Sequence, residues 1–146
     1  QRWDRRDIKT IQLLPNCLAK QAAAEKGAYE AIMVMPDGSV SEGSSSNVWI
    51  LNNEDQLITR QPDEDILNGI TRQSIQRIAG ERQLEIVERA FSVDEMMQAK
   101  EVFVTSATSM VTALTQIDGK KIDEGKVGLI ASALKADYIS HVQTCS

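Results

Sequence analysis

Val40-Ser41-Glu42-Gly43-Ser44-Ser45-Ser46-Asn47-Val48-Trp49-Ile50-Leu51 places a polar segment directly against an apolar run. One acid, one glycine, three serines and an asparagine stand between two runs with the character of buried strands, residues 29–35 before and 48–51 after. A hairpin needs only about two to five turn residues, and Pro36-Asp37-Gly38-Ser39 already provides them. The polar segment therefore falls after the turn, where a second strand begins. A carboxylate among small hydroxyls at that place fits a ligand cradle. Composition alone fits a serine-rich surface loop equally well.

Outward from this stretch the chain alternates short strands and helices. On the N-terminal side, residues 7–11 read as a strand with Lys9 between Ile8 and Ile11. Lys9 is either a solvated edge lysine or a partly desolvated amine, whose lowered pKa suits attack on a carbonyl. Residues 15–26 read as a helix, with Leu14, Leu18 and Ala22 at four-residue steps, Pro15 in the first turn and Gly27 as the stop. On the C-terminal side, residues 47–51 and 57–60 predict a hairpin around Asn52-Asn53-Glu54-Asp55. The acids Asp63, Glu64 and Asp65 lack the spacing of a calcium loop and read as solvated.

Gly69 precedes a helix expected over 70–82, with Ile70, Ile75, Ile78 and Ala79 on its inner face. A helix start offers unpaired N–H groups and partial positive charge, a place for phosphate, although glycine loops entering helices are common without one. Residues 84–90 read as a strand. Ser92-Val93-Asp94-Glu95 is a capping box, with Phe91 and Met96 placed as a hydrophobic staple, and that helix ends by Lys100. Residues 101–104 form a strand running into a second hydroxyl cluster, Thr105-Ser106-Ala107-Thr108-Ser109. Residues 110–117 continue as one strand to an Asp118-Gly119 turn toward Lys121-Ile122. A last helix over 127–142 carries Ile130, Leu134, Tyr138 and Val142 on an apolar face.

The chain's 146 residues suit one domain, without internal repeat or linker. It begins at Gln1 inside a charged run, which suggests a piece of a longer protein. A net charge of −5 argues against general nucleic-acid binding. No apolar run reaches the roughly 18 residues of a membrane span. Cys17 and Cys145 are far apart and read as separate thiols, without metal spacing. His141, the single histidine, reads as a helix-surface residue, so no metal or histidine chemistry is expected.

A lysine, an acid, a glycine-led helix and two hydroxyl clusters are together what a phosphorylated aldehyde cofactor needs. Arg2-Trp3-Asp4-Arg5-Arg6-Asp7-Ile8-Lys9-Thr10, Glu42-Gly43-Ser44-Ser45-Ser46-Asn47, Leu67-Asn68-Gly69-Ile70-Thr71-Arg72 and Thr105-Ser106-Ala107-Thr108-Ser109 occur in that order. In this the chain resembles the class IV (fold type IV) pyridoxal-phosphate aminotransferases, most closely the D-alanine (D-amino acid) transaminases, from Arg2 to about Val127. Arg6 departs from the cysteine frequent there, and Ala107 from a hydroxyl that some relatives carry.

The resemblance implies an α+β fold, a mixed-sheet pseudobarrel surrounded by helices. Residues 1–146 would be the C-terminal, pyridoxal 5'-phosphate-binding domain, without its N-terminal domain. It implies Lys9 as the Schiff-base lysine and proton carrier, and Glu42 as partner of the pyridine nitrogen. Leu67 would pack on the ring. Arg2, Gly69, Ile70, Thr71, Ser106, Ala107 and Thr108 would surround the phosphate, and Ser46 and Asn47 would help line the site with Ser44 and Ser45. The implied reaction moves an amino group from an amino acid, such as D-alanine, to a 2-oxo acid, such as 2-oxoglutarate, in a cytoplasmic homodimer. Aminodeoxychorismate lyase and the branched-chain aminotransferases are the related alternatives; a non-catalytic binding domain is the unrelated one.

Overall fold

Strand β3, Asn47–Leu51, is buried at every position because both faces of the sheet it centres are covered. In the computed structural model, which describes residues 14–63 and 68–144, the earlier elements are helix α1 (Leu14–Glu25) and strands β1 (Ile32–Val34) and β2 (Val40–Gly43). After β3 come β4 (Gln56–Thr59), α2 (Ile70–Glu81), β5 (Glu85–Glu88), α3 (Val93–Gln98), β6 (Glu101–Ser106), β7 (Met110–Ala113), β8 (Gln116–Ile117), β9 (Lys120–Lys121) and α4 (Leu129–Thr144). A five-stranded sheet has the order β5-β4-β3-β6-β7. β4 and β5 pair in parallel across the α2 crossover, and the other neighbours are antiparallel. β1 with β2, and β8 with β9, form separate two-stranded sheets.

The period of two along the central strands explains the layering. Val48, Ile50, Ile58, Val102 and Val104 share one apolar cluster with Val40 of β2 and with Phe91, Met96 and Ile122. Trp49, Leu57 and Phe103 point the other way, into a cluster with Ile75, Ile78 and Ala79 of α2 and Ala131 and Leu134 of α4. Trp49 and Phe103 are register partners on β3 and β6, and their rings stack 5.8 Å apart at 8°.

Local chemistry sets the element ends. Gly27, at φ +73°, closes α1: the Ala28 and Gly27 N–H groups donate to the carbonyls of Ala23 and Ala24. α2 closes in the same way, with Gln83 at φ 60° and the Leu84 and Gln83 N–H groups on Ala79 and Gly80. The Ser92–Glu95 capping box is present, and Phe91 and Met96 pack in one cluster as its staple. Asp118 (φ 49°) and Gly119 (φ 78°) make the turn joining β8 to β9.

Several expectations are corrected. The strand expected over 29–35 shortens to Ile32–Val34 and leaves Tyr29 exposed, because Glu30 turns into the serine loop. Residues 110–117 are two strands: the chain leaves the central sheet at Leu114, which joins the opposite cluster. On α1, Leu18 is 57% exposed, and the buried face carries Asn16 and Ala23, seven residues apart. Ile70 is 83% exposed at the first position of α2, before the helix has turned toward the sheet. Val142 is exposed one turn beyond the part of α4 that meets the core. The mixed sheet with surrounding helices is as expected, and among the described strands the central sheet has β5 and β7 at its edges.

Asp63 pairs with Arg60. Cys17 is an exposed free thiol, and His141 meets Arg77 at the α2–α4 surface. The expected first strand, with Arg2, Arg6 and Lys9, lies outside the described residues, as do Glu64, Asp65, Leu67 and Cys145. Among the described residues, no helix is long and apolar enough to cross a membrane.

Candidate functional site

All four residues of β2 are buried, two of them polar, so each polar group needs a partner. Ser41 donates to the Met33 carbonyl at 3.1 Å. Glu42, 5% exposed, accepts from the Asn16 side-chain amide at 3.3 Å. Asn16 sits in the first turn of α1, so the helix start delivers a neutral donor to a buried carboxylate.

Beyond Glu42 the chain wraps around a second carboxylate. Glu30 accepts from the hydroxyls of Ser44, Ser45 (3.3 Å) and Ser46 (2.9 Å), and from the Ala31 N–H (3.0 Å). Lys20 of α1 donates to Ser45 from outside at 2.9 Å. The loop is closed by the Gly43 N–H on the Ser46 carbonyl (2.8 Å) and the Ser44 N–H on the Ala31 carbonyl (2.9 Å). A side chain at Gly43 would displace the loop's own bonds: a Cβ would lie 2.1 Å from Ser46 Oγ, which donates to Glu30, and 3.3 Å from the Glu30 carboxylate carbon. The serines are therefore committed to shaping the wall beside Glu42.

Asn47 links this loop to two others. It is the register partner of Thr105 on β6. Its Oδ1 lies 3.1 Å from where a Cβ on Gly69 would stand. The serine loop, the end of β6 and the start of α2 thus meet at one end of the sheet. Gly69 is the N-cap of α2, brings no side-chain acceptor to the first N–H groups, and is followed by a first turn without acids. Such a start favours an anion. Thr71 is buried in that turn. Across from it, Ser106 Oγ lies 2.6 Å from Ser109 Oγ and accepts the Ser109 N–H at 3.1 Å, with Thr108 Oγ1 at 3.4 Å. Ala107 and Thr108 are exposed at the tip of this turn.

Arg72 carries more of the site than its place in the Gly69-Ile70-Thr71-Arg72 block suggests. It is 1% exposed and lies 5.9 Å over the Trp49 ring. Its guanidinium donates at 2.9 Å to Asn68 Oδ1, the Arg60 carbonyl and Glu88. It thereby fixes the turn that launches α2 against β4 and β5. The hydrogen bonds from Arg72 and then Gln76 hold the Glu88 carboxyl below its ordinary range.

Of the residues singled out in the sequence, the structure gathers Glu42, Ser46, Asn47, Gly69, Ile70, Thr71, Ser106, Ala107 and Thr108 at this end of the sheet. Sequence reasoning missed Asn16, Glu30 and Arg72. Glu30 is a charged residue inside a segment expected to be a buried strand, a signal that was available, whereas Arg72 stands off the inner face expected for its helix. Asn16 had only its seven-residue spacing to Ala23.

A pyridine ring bearing an aldehyde and a phosphate is one group these residues fit. The buried Glu42 carboxylate suits a protonated ring nitrogen, and the uncapped start of α2 suits a phosphate. Asn16 Oδ1, buried and without a hydrogen-bond partner among the described residues, is a further acceptor beside Glu42.

The family model described as amino-transferase class IV matches residues 1–117. The chain is 43% identical over 127 residues to the D-alanine aminotransferase of Bacillus licheniformis, covering 87% of this chain and 44% of that protein. It is 39% identical over 145 residues to the D-alanine aminotransferase of Staphylococcus epidermidis, covering 99% of this chain and 51% of that protein. Among solved structures, the branched-chain amino acid aminotransferase of Thermobaculum terrenum, in its PLP form, superposes with a TM-score of 0.87 at 30% identity, over 94% of this chain and 45% of that one. The chain spans about half the length of the curated relatives it matches.

Proposed function

Because the chain belongs to the class IV aminotransferases, we propose that it is the C-terminal, cofactor-binding domain of a pyridoxal-phosphate transaminase. The observation that carries this reading is a buried carboxylate, Glu42 of β2, whose strand leads through the serine loop to Asn47, where the uncapped start of α2 and the end of β6 meet. Arg2, Gly69, Ile70, Thr71, Ser106, Ala107 and Thr108 hold the phosphate, α2 doing so through backbone N–H groups. Leu67 packs against the ring, and Ser46 and Asn47 keep the wall in place. Pyridoxal 5'-phosphate, when bound, supplies a ring that withdraws the electron pair left when a substrate Cα–H bond breaks.

The rest is the protein's work. Glu42 would keep a proton on the ring nitrogen, because a neighbouring carboxylate favours the charged form. Lys9 would be the residue that holds the group through its amine, and that amine, when free, would be the base for the proton on the substrate α-carbon. Asn47 and Gly69 hold the phosphate end and the Glu42 end at fixed separation.

The substrates of this reading are an amino acid such as D-alanine and a 2-oxo acid such as 2-oxoglutarate, in a cytoplasmic homodimer. The likeness to D-alanine aminotransferases supports this choice. A second reading, an enzyme of branched-chain amino acids, is favoured by the superposition on the Thermobaculum terrenum protein. The intact protein assayed with D-alanine and with L-leucine, each with 2-oxoglutarate, separates the two. D-alanine-dependent pyruvate formation that disappears in Lys9→Ala is expected. Turnover undiminished in Lys9→Ala would sink the catalytic assignment, and turnover of L-leucine alone would replace the substrate.

A further inference from the structure

We propose that Asn16 is a positioning residue for the Glu42 carboxylate, locking it toward the cofactor ring; the inference rests on the functional reading above. Asn16 is 5% exposed and lies in the first turn of α1, a helix otherwise largely solvated along this stretch. An asparagine buried there needs a reason, since burying an amide without partners is unfavourable. Its Nδ2 donates to Glu42 Oε1 at 3.3 Å. The opposite orientation of the amide would set a carbonyl oxygen against the carboxylate, so the donor assignment follows from charge. Asn16 Oδ1 is also buried and has no hydrogen-bond partner among the described residues.

The geometry makes α1 part of the site. Glu42 is held by β2 at its backbone and by Asn16 at its side chain, 26 residues earlier in the chain. The amide also carries no charge of its own. It restrains the carboxylate without neutralising it, so the contact keeps the negative charge that a ring N–H needs. Glu30, the other carboxylate on this wall, is occupied by the serine hydroxyls, and Lys20 by Ser45.

The test is a double-mutant cycle in the intact protein with pyridoxal 5'-phosphate as the probe. Dissociation constants are measured by absorbance titration for the wild type, Asn16→Ala, Glu42→Gln and the double variant. Asn16→Ala is expected to weaken binding about 10-fold or more, as for a lost hydrogen bond to a charged group, and to have little effect once Glu42 is Gln. Asn16→Asp keeps the shape and guards against a folding defect. Protonated, the introduced carboxyl donates as the amide does; ionised, it repels Glu42. The deficit of Asn16→Asp is therefore expected to shrink as the pH falls from about 8 toward about 5, approaching the carboxylate range. Carbon-13 carboxyl shifts of the cofactor-free protein give a second readout, with the Glu42 resonance changing its titration in Asn16→Ala. Additive effects in the cycle, or Asn16→Asp matching the wild type at every pH, overturn the proposal. Failure of the wild type to bind the probe sinks the functional reading instead, and an unchanged Glu42 titration then overturns the Asn16 assignment on its own.

Discussion

Replacing Arg72 with alanine is the sharpest test of how this site is held, because one side chain joins three elements. Its guanidinium donates at 2.9 Å to two acceptors, Asn68 Oδ1 and the Arg60 carbonyl, and to Glu88, while 1% exposed. Each bond from a charged donor to a neutral acceptor contributes about 1.5–3 kcal/mol. The contact over Trp49 contributes roughly 0.5–2 kcal/mol. The Glu88 carboxylate is 37% exposed, so solvent screens that pair to about 0–1 kcal/mol. These contributions are not additive, and truncation of such a network costs about 3–5 kcal/mol. Arg72→Lys keeps the charge but cannot reach Asn68, Arg60 and Glu88 together, so about half of that loss is expected. Glu88→Gln, which removes only the screened charge, is expected to cost about 1 kcal/mol or less.

Urea unfolding followed by tryptophan fluorescence reads all three variants, since Trp49 lies beneath the guanidinium. At a slope of about 2 kcal/mol per molar urea, Arg72→Ala lowers the midpoint by about 2 M. A midpoint shift for Glu88→Gln as large as that for Arg72→Ala would refute the reasoning, because the exposed ion pair would then dominate over the buried acceptors. So would an Arg72→Ala cost under about 1 kcal/mol.

Four further outcomes follow from local geometry. The Glu88 carboxyl is held below its ordinary range by Arg72 and Gln76, so its contribution is present above the unfolded-state pKa and is lost as the pH falls through the lower folded value; acid unfolding of Glu88→Gln is expected to show a shallower slope there. Gly43→Ala forces a Cβ to 2.1 Å from Ser46 Oγ and is expected to cost about 1–3 kcal/mol in thermal unfolding; a wild-type midpoint would show that the serine loop is loose. Gln83→Gly relieves a residue at φ 60° and is expected to stabilise by about 0.5–1 kcal/mol, read from the same melting curves. Glu101→Ala removes the acceptor of the Ile130 and Ala131 N–H groups, at 3.0 and 2.9 Å, and is expected to cost about 1 kcal/mol and speed hydrogen exchange at those two amides.

The sequence told most where periodicity and turn chemistry act locally. The capping box at Ser92, the Asp118-Gly119 turn and the paired strands around Asn52 depend on residues within a few positions of one another, and each is present. Expectations failed where a distant group decides. Tyr29 leaves its strand because Glu30 is drawn to serines 14 to 16 residues away. Leu18 stays exposed because the buried register of α1 is set by Asn16 meeting Glu42. The site was legible as blocks, since Glu42, Gly69 and Ser106 stand in motifs that can be quoted. The side chains that brace those blocks were not, because an asparagine in a helix or an arginine after a threonine gives no sign of which distant atom it meets.

Glu101 gives the molecule an unexpected seam. Its carboxylate receives the first free N–H groups of α4, and Gly128 leaves room for it where a Cβ would come within 1.9 Å of the carboxylate carbon. The strand that carries Glu101 at one end carries Ser106 at the other. A chain trimmed at residue 117, where the family match ends, would strip Ala131 and Leu134 from the cluster around Trp49 and Phe103. The portable unit, for grafting or recombination among relatives, is therefore longer than the shared motif: it must travel with its last helix, or the hydroxyl turn arrives on a strand with one side bare.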